Sequence, residues 1–204
     1  PKVDLIITEM RNTRYQQPEW YRYVAGFAGD KPVVVVENPY GGVVPELVNL
    51  LKVGKGYDLF RMSLYEAAAL GVNMSIPYGA WMGSVIQDSF HPPHELCAEI
   101  NTFLANHEEL FSRKTFAEIG LVYSVESNAQ LVARRDLFAD NRANTSGSEL
   151  IPFWEFSEAL VSAAQPYDVI FFPEGKLRAD ELTVDSLAQY RILILPDCRY
   201  LTDA

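Results

Sequence analysis

The chain has 204 residues, of which 49% are hydrophobic and 22% are charged. This length corresponds to one or two domains, and this apolar content excludes a disordered chain and a collagen-like repeat. Asp and Glu outnumber Lys and Arg by 27 to 17, so the formal net charge is −10. Because no basic stripe accompanies that charge, we expect neither nucleic acid nor an anionic membrane as a partner.

Two cysteines, Cys97 and Cys198, are too few for a disulfide framework, and we expect both to be buried free thiols. No apolar run approaches the ~18 residues that a membrane-spanning helix needs. A strand follows almost directly after Pro1, so we expect the native protein to begin further upstream. The compartment stays open, because a signal peptide could precede that start; we favour the cytoplasm.

The first half of the chain alternates short apolar strands with segments of helical spacing. In chain order the prediction is strand 3–8, helix 19–28, strand 33–36, helix 59–70, strand 72–76 and one long helix 94–111. Four consecutive valines at 33–36 indicate a strand that is covered on both faces, as in a parallel sheet. We therefore predict a βα series with a parallel sheet over residues 1–112.

A second unit begins near Arg113 and extends over residues 113–204. Its predicted elements are strand 116–125, a long loop with a helical part at 128–147, helix 153–164, strand 167–172, an acidic helical stretch at 180–190 and strand 191–196. This order of elements is typical of a second βαβ series, and hence of a mixed α/β protein with two units.

Two glutamates and an aromatic loop follow the three strands predicted for the first unit. Glu9 and Glu37 come at the ends of the first two strands, and the loop with Tyr78 and Trp81 follows the third. The carboxyl ends of parallel strands in a barrel face the active site. Retaining glycoside hydrolysis uses two carboxyl groups that are roughly 5–5.5 Å apart, and aromatic rings offer flat apolar surface to sugars. The pattern therefore favours a sugar-cleaving site.

An alternative for each of these residues is structural. A glutamate at a strand end can pair with a cation, and Arg11 and Arg61 are both candidates. Tyr78 and Trp81 can pack on the rim of the sheet instead of facing a substrate. The sequence is compatible with both interpretations.

The segments VVVVENPYGG at 33–42, LFRMSLYEAAALG at 59–71 and VNMSIPYGAWMG at 72–83 resemble the last two strand–helix units of a glycoside hydrolase family 42 barrel. The resemblance implies the C-terminal part of a (β/α)8 barrel, about strands six to eight, over residues 1–112. Residues 113–204 are similar to part of the domain that follows this barrel in those β-galactosidases. That trimerisation domain has a flavodoxin/amidotransferase-like, doubly wound fold.

The resemblance also implies roles for residues of this chain. Glu37 matches the nucleophile of a retaining, β-galactosidase-like enzyme that needs no cofactor. The residues expected to contact the carbohydrate substrate are Glu9, Arg61, Tyr78, Trp81, Asn38 and Tyr40. The acid/base glutamate of the family ends strand four, upstream of this sequence, so we expect this chain alone to have little or no activity. The family also implies a homo-oligomer, a trimer.

The alternative function is non-catalytic: an α/β scaffold or a carbohydrate-binding module built from a degenerate barrel. Other chemistries find little support in the sequence. His91 and His94 flank two prolines without a third ligand at suitable spacing, so we expect no metal site. There is no G-x-S-x-G elbow, and neither cysteine lies in such a context, which argues against amidotransferase activity in the second unit.

Overall fold

The computed structural model describes residues 3–9, 16–36, 49–75, 92–133, 153–172, 175 and 182–201, without the side chains of 131–133. Contacts between Cα atoms divide the chain into two compact units, unit 1 (Pro1–Lys114) and unit 2 (Thr115–Ala204). The division falls two residues after the boundary that we placed between Ser112 and Arg113.

Unit 1 contains a parallel sheet with three described strands in the order β1-β2-β3. Its elements are β1 (Ile6–Glu9), α1 (Pro18–Ala28), β2 (Val33–Val36), α2 (Tyr57–Ala69), β3 (Asn73–Met74), α3 (His94–Asn106) and a 3₁₀ helix (Glu108–Phe111). The register pairs Ile6 with Val33 and Val34 with Asn73. Strands that are consecutive in the chain are therefore neighbours in the sheet.

The ends of the helices in unit 1 follow local signals in the sequence. Pro18 begins α1, because its fixed φ and its missing N–H suit a first helical turn. Gly29 ends α1 with a φ of 60°. The single helix predicted for 94–111 is wrong, because His107 leaves helical geometry with φ −129° and ψ 32°. The ring of Phe103 lies 4.7 Å from that of His107 and 6.4 Å from that of Phe111, so aromatic packing holds the 3₁₀ turn against α3.

One face of the unit 1 sheet is covered by helices. Val33 and Val35 are fully buried in a cluster that includes Tyr21 and Val24 of α1 and Ala67 of α2. The opposite face is more open: the alternate valines of β2 are half-buried, and Ile7 of β1 is 65% exposed. The prediction that both faces of β2 are covered is therefore correct for one face alone.

Unit 2 contains a second parallel sheet, with β4 in the middle of the order β5-β4-β6. Its elements are β4 (Ile119–Ser124), α4 (Val125–Ala133), α5 (Phe153–Ser162), β5 (Tyr167–Phe172), α6 (Val184–Leu187) and β6 (Ile192–Ile194). The bounds of β5 are those predicted. The chain enters α4 directly from β4. We predicted strand up to Val125 and a long loop with a helical part from Asn128, so the helical part is confirmed but begins three residues earlier.

Side chains cover both faces of β4. On one face, the ring of Tyr123 packs edge-on against Phe153 of α5, with ring centroids 5.0 Å apart. On the other face, a Cβ built on Gly120 would lie 3.2 Å from Cγ of Tyr190. The hydroxyl of Tyr190 donates to Asp168 Oδ2 at 3.0 Å, which holds the ring over the glycine.

The protein is thus a mixed α/β chain with two parallel sheets. No helix within the described ranges is long and apolar enough to cross a membrane.

Candidate active site at the carboxyl edge of unit 1

The strand register brings the carboxyl ends of β1, β2 and β3 to one edge of the unit 1 sheet. Glu9, the last residue of β1, is paired with Val36, the last residue of β2. Val36 directly precedes Glu37 in the sequence, and Glu9 is exposed. Val35 is paired with Met74, the last residue of β3. The three strands therefore end side by side, as the sequence analysis requires.

Most of the predicted site residues lie outside the described part of the chain. They are Glu37, Asn38, Tyr40, Tyr78 and Trp81. Their roles stay predictions. Glu9 and Arg61 are described.

An indole group holds the backbone at Glu9. Trp20 lies in the first turn of α1, and its Nε1 donates to the carbonyl oxygen of Glu9 at 2.8 Å. Its ring also stacks on Tyr23, with centroids 5.3 Å apart and planes at 15°. The end of β1 is thereby fixed to the start of α1, while the Glu9 side chain stays accessible.

Two acidic side chains, Glu19 and Glu66, lie where the start of α1 meets α2. The backbone N–H of Gln17 donates to Glu66 Oε2 at 3.1 Å, and Glu19 is only 4% exposed. Burial, with a further contribution from the charge of Glu19, raises the pKa of Glu66 above its ordinary value. Burial is also the main cause that raises the pKa of Tyr21, followed by the nearby charges of Glu66 and Glu19.

Neither acid was predicted as a site residue from the sequence, because neither lies at a strand end. An acidic residue after Pro18 is an ordinary helix-start signal, and Glu66 occupies one helical position among alanines. Their burial depends on how α1 packs against α2. The pattern of a single helix does not reveal it.

Arg61 is engaged in a fork of hydrogen bonds between α2 and α3. Its Nε donates to Glu99 Oε1 at 2.8 Å and its Nη2 to Glu99 Oε2 at 2.9 Å, while Nη1 reaches Asp58 Oδ1 at 3.2 Å. The bond from Arg61 lowers the pKa of Glu99. This arrangement joins two helices. Arg61 can therefore contact a substrate only if its guanidinium leaves Glu99 or binds Glu99 and the substrate at the same time.

The described part of the chain offers little support for thiol or metal chemistry. Cys97 and Cys198 are free thiols, but both are half-buried, so the prediction that they are buried is only partly correct. Burial raises the pKa of each, which disfavours the nucleophilic thiolate. No group of three or more metal-ligating side chains was found among the described residues.

Comparison of the chain with protein-family models, with curated proteins and with solved structures finds no match.

Proposed function

We propose that this chain is part of a retaining, β-galactosidase-like glycoside hydrolase, with Glu37 as its nucleophile. The register of β1 and β2 carries the proposal, because it pairs Glu9 with Val36, the residue before Glu37 in the sequence. Carboxylates that follow adjacent parallel strands would lie beside each other, so that Glu9 could hold the hydroxyls of a sugar that Glu37 attacks. Glu9 has the further property of an exposed side chain on an anchored backbone.

The winding of unit 1 supports a barrel. Its strand order follows the chain order, and residues of both α1 and α2 belong to the cluster on one face of β2. Right-handed crossovers that always step in the same direction put every helix on the same face, as in a (β/α)8 barrel. The opposite face carries Ile7, Val34 and Val36, and branched apolar side chains of this kind fill barrel interiors. We assign unit 1 to about strands six to eight of such a barrel.

The proposed reaction has two steps. In the first, the Glu37 carboxylate attacks the anomeric carbon while a second carboxyl group protonates the departing glycosidic oxygen. In the second, that group removes a proton from water, and the water displaces Glu37 from the glycosyl-enzyme. The acid/base residue belongs to an earlier strand of the proposed barrel. Glu9, Asn38 and Tyr40 would hold sugar hydroxyls, and Tyr78 and Trp81 would face the sugar ring.

We propose that unit 2 is a doubly wound, amidotransferase-like domain that builds a homo-oligomer, a trimer, and performs no catalysis. The order β5-β4-β6 supports this, because the first strand of the unit lies between the second and the third. Flavodoxin-like sheets begin with the same order. The raised pKa of Cys198 supports a non-catalytic role.

Kinetics of the complete gene product test the proposal. Glu37→Gln should lower kcat on an aryl β-galactoside by several orders of magnitude, whereas Glu9→Gln should mainly raise KM. Glu37→Ala should regain turnover in azide and release a glycosyl azide, because the small anion enters the space of the missing carboxylate. Glu118→Gln, which removes an exposed carboxylate of unit 2, is the matched control. Near-normal turnover by Glu37→Gln would contradict the proposal.

The second candidate is a non-catalytic scaffold or carbohydrate-binding module. The observation that favours it is the engagement of Arg61 by Glu99, which leaves a predicted substrate ligand in a helix–helix contact. This function predicts binding of galactosides without turnover, and binding that Glu37→Gln leaves unchanged.

A further inference from the structure

A buried pair of serine hydroxyls joins the end of β4 to the segment that follows β6. Ser124 ends β4, Ser127 lies in the first turn of α4, and each is 2% exposed. Their Oγ atoms are 2.8 Å apart. The carbonyl oxygen of Tyr200 lies 2.7 Å from Ser124 Oγ and 3.1 Å from Ser127 Oγ, so it can accept from either hydroxyl. The Tyr200 N–H donates to Ser127 Oγ at 2.9 Å, so both polar backbone groups of Tyr200 are bound.

The same serines satisfy the start of α4. The backbone N–H of Ser127 donates to Ser124 Oγ at 3.1 Å, and the Asn128 side chain donates to the Ser124 carbonyl at 2.8 Å. Side chains that cap a helix in this way compete with any anion for its first N–H groups. One N–H of the first turn of α4 is therefore bound by a side chain of this chain.

The segment after β6 is bent back and internally tied. Asp197 has a φ of 47° and is 6% exposed, and its carboxylate accepts a hydrogen bond from Arg199 Nε. Cys198 lies between them, with its Sγ 3.5 Å from the Pro196 carbonyl oxygen. The thiol therefore belongs to the segment that the serines hold.

The held segment follows β6 and is bonded to the end of β4. These two strands are neighbours at the point where the strand order reverses. Open α/β sheets bind their ligands outside the carboxyl ends of the strands at such a point. We infer that the Ser124–Ser127 pair is a latch that holds residues 197–200 across this crevice and limits access to the half-buried Cys198 thiol. The inference rests on the doubly wound winding proposed for unit 2 and is independent of the proposed glycosidase activity.

Thiol reactivity tests the latch. In a Cys97→Ser background, Cys198 is the one remaining cysteine of the sequence, and its reaction with Ellman's reagent reports opening of the segment. Ser124→Ala combined with Ser127→Ala should accelerate this reaction about tenfold or more, since the lost hydrogen bonds favour the open form. If Cys198 reacts as fast as it does in the unfolded chain while both serines are intact, the inference is overturned.

Ser186→Ala is the matched control. It removes a serine that caps α6 in the same unit and whose described hydrogen bonds are made with Thr183. An equal acceleration in this variant would show that reactivity reports loss of stability in unit 2, and would contradict the latch. If the double variant does not fold, hydrogen exchange of the unmodified protein decides. The Tyr200 amide should exchange far more slowly than an unprotected amide, and exchange at the unprotected rate would refute the latch.

Discussion

Gly120 occupies the one position of β4 where the structure leaves no room for a side chain. A Cβ at this residue would lie 2.5 Å from Ile170 Cδ1 and 2.8 Å from Leu193 Cδ2. Both distances are well below a normal carbon–carbon contact of about 3.5–4.0 Å. Leu193 is 39% exposed and can turn outward, but Ile170 is only 6% exposed. We therefore expect Gly120→Ala to strain the sheet of unit 2 through Ile170.

The expected cost of Gly120→Ala is about 2 kcal/mol, within the range of about 1–3 kcal/mol measured when a methyl group is forced into a packed core. For a unit of this size, that corresponds to a fall in Tm of about 8–16 °C. Calorimetry of the wild type and the variant measures the effect. Ile170→Val deletes the nearest carbon, so it should return part of the lost stability in the double variant. A shift below about 2 °C, or the absence of any rescue, would refute this account of the packing.

Three further predictions concern unit 1. Arg113 donates to the carbonyl oxygens of residues 29–31. Arg113→Met should therefore lower the free energy of unfolding by about 1–2 kcal/mol, and Arg113→Lys should lower it by less. Equal losses for the two variants in urea titrations would count against this capping role. The raised pKa of Glu66 means that the folded chain retains a proton which the unfolded chain releases, so this residue makes stability fall as pH rises above about 4.3. Glu66→Gln should therefore gain stability relative to wild type as the pH rises above about 4.3; a difference that does not change with pH would contradict the assignment. Arg61→Met and Glu99→Gln remove the same contact, so the double variant should have no lower Tm than the worse single variant, whereas additive losses would show separate roles.

The sequence predicted the parts of the fold that depend on local chemistry. Residues 167–172 form the predicted strand, and Gly29 ends α1 at the predicted place. The break at His107 was missed because the apolar spacing continues through it. What stops the helix is the packing of Phe103 against the turn that follows. The open face of the valine strand was missed for a related reason: four valines fit a strand that is covered on one face or on both.

Only the part of the candidate site that lies at the ends of strands could be predicted from the sequence. The register confirms that Glu9 lies at the carboxyl edge, beside the residue that precedes Glu37. The partner of Arg61 was not predictable, because Glu99 is 38 residues away and on a different helix. Long-range pairs of this kind depend on how helices pack. The composition of either helix leaves the pairing undetermined.

Covalent labelling of the complete gene product tests the central claim most directly. A 2-deoxy-2-fluoro β-galactoside with a good leaving group reacts with a retaining enzyme to form a glycosyl-enzyme that hydrolyses slowly. The account predicts one adduct per chain, located by peptide mass spectrometry on Glu37 and absent from Glu37→Gln. An adduct on Glu9 or another carboxylate would contradict it, and so would turnover of β-galactosides without any adduct.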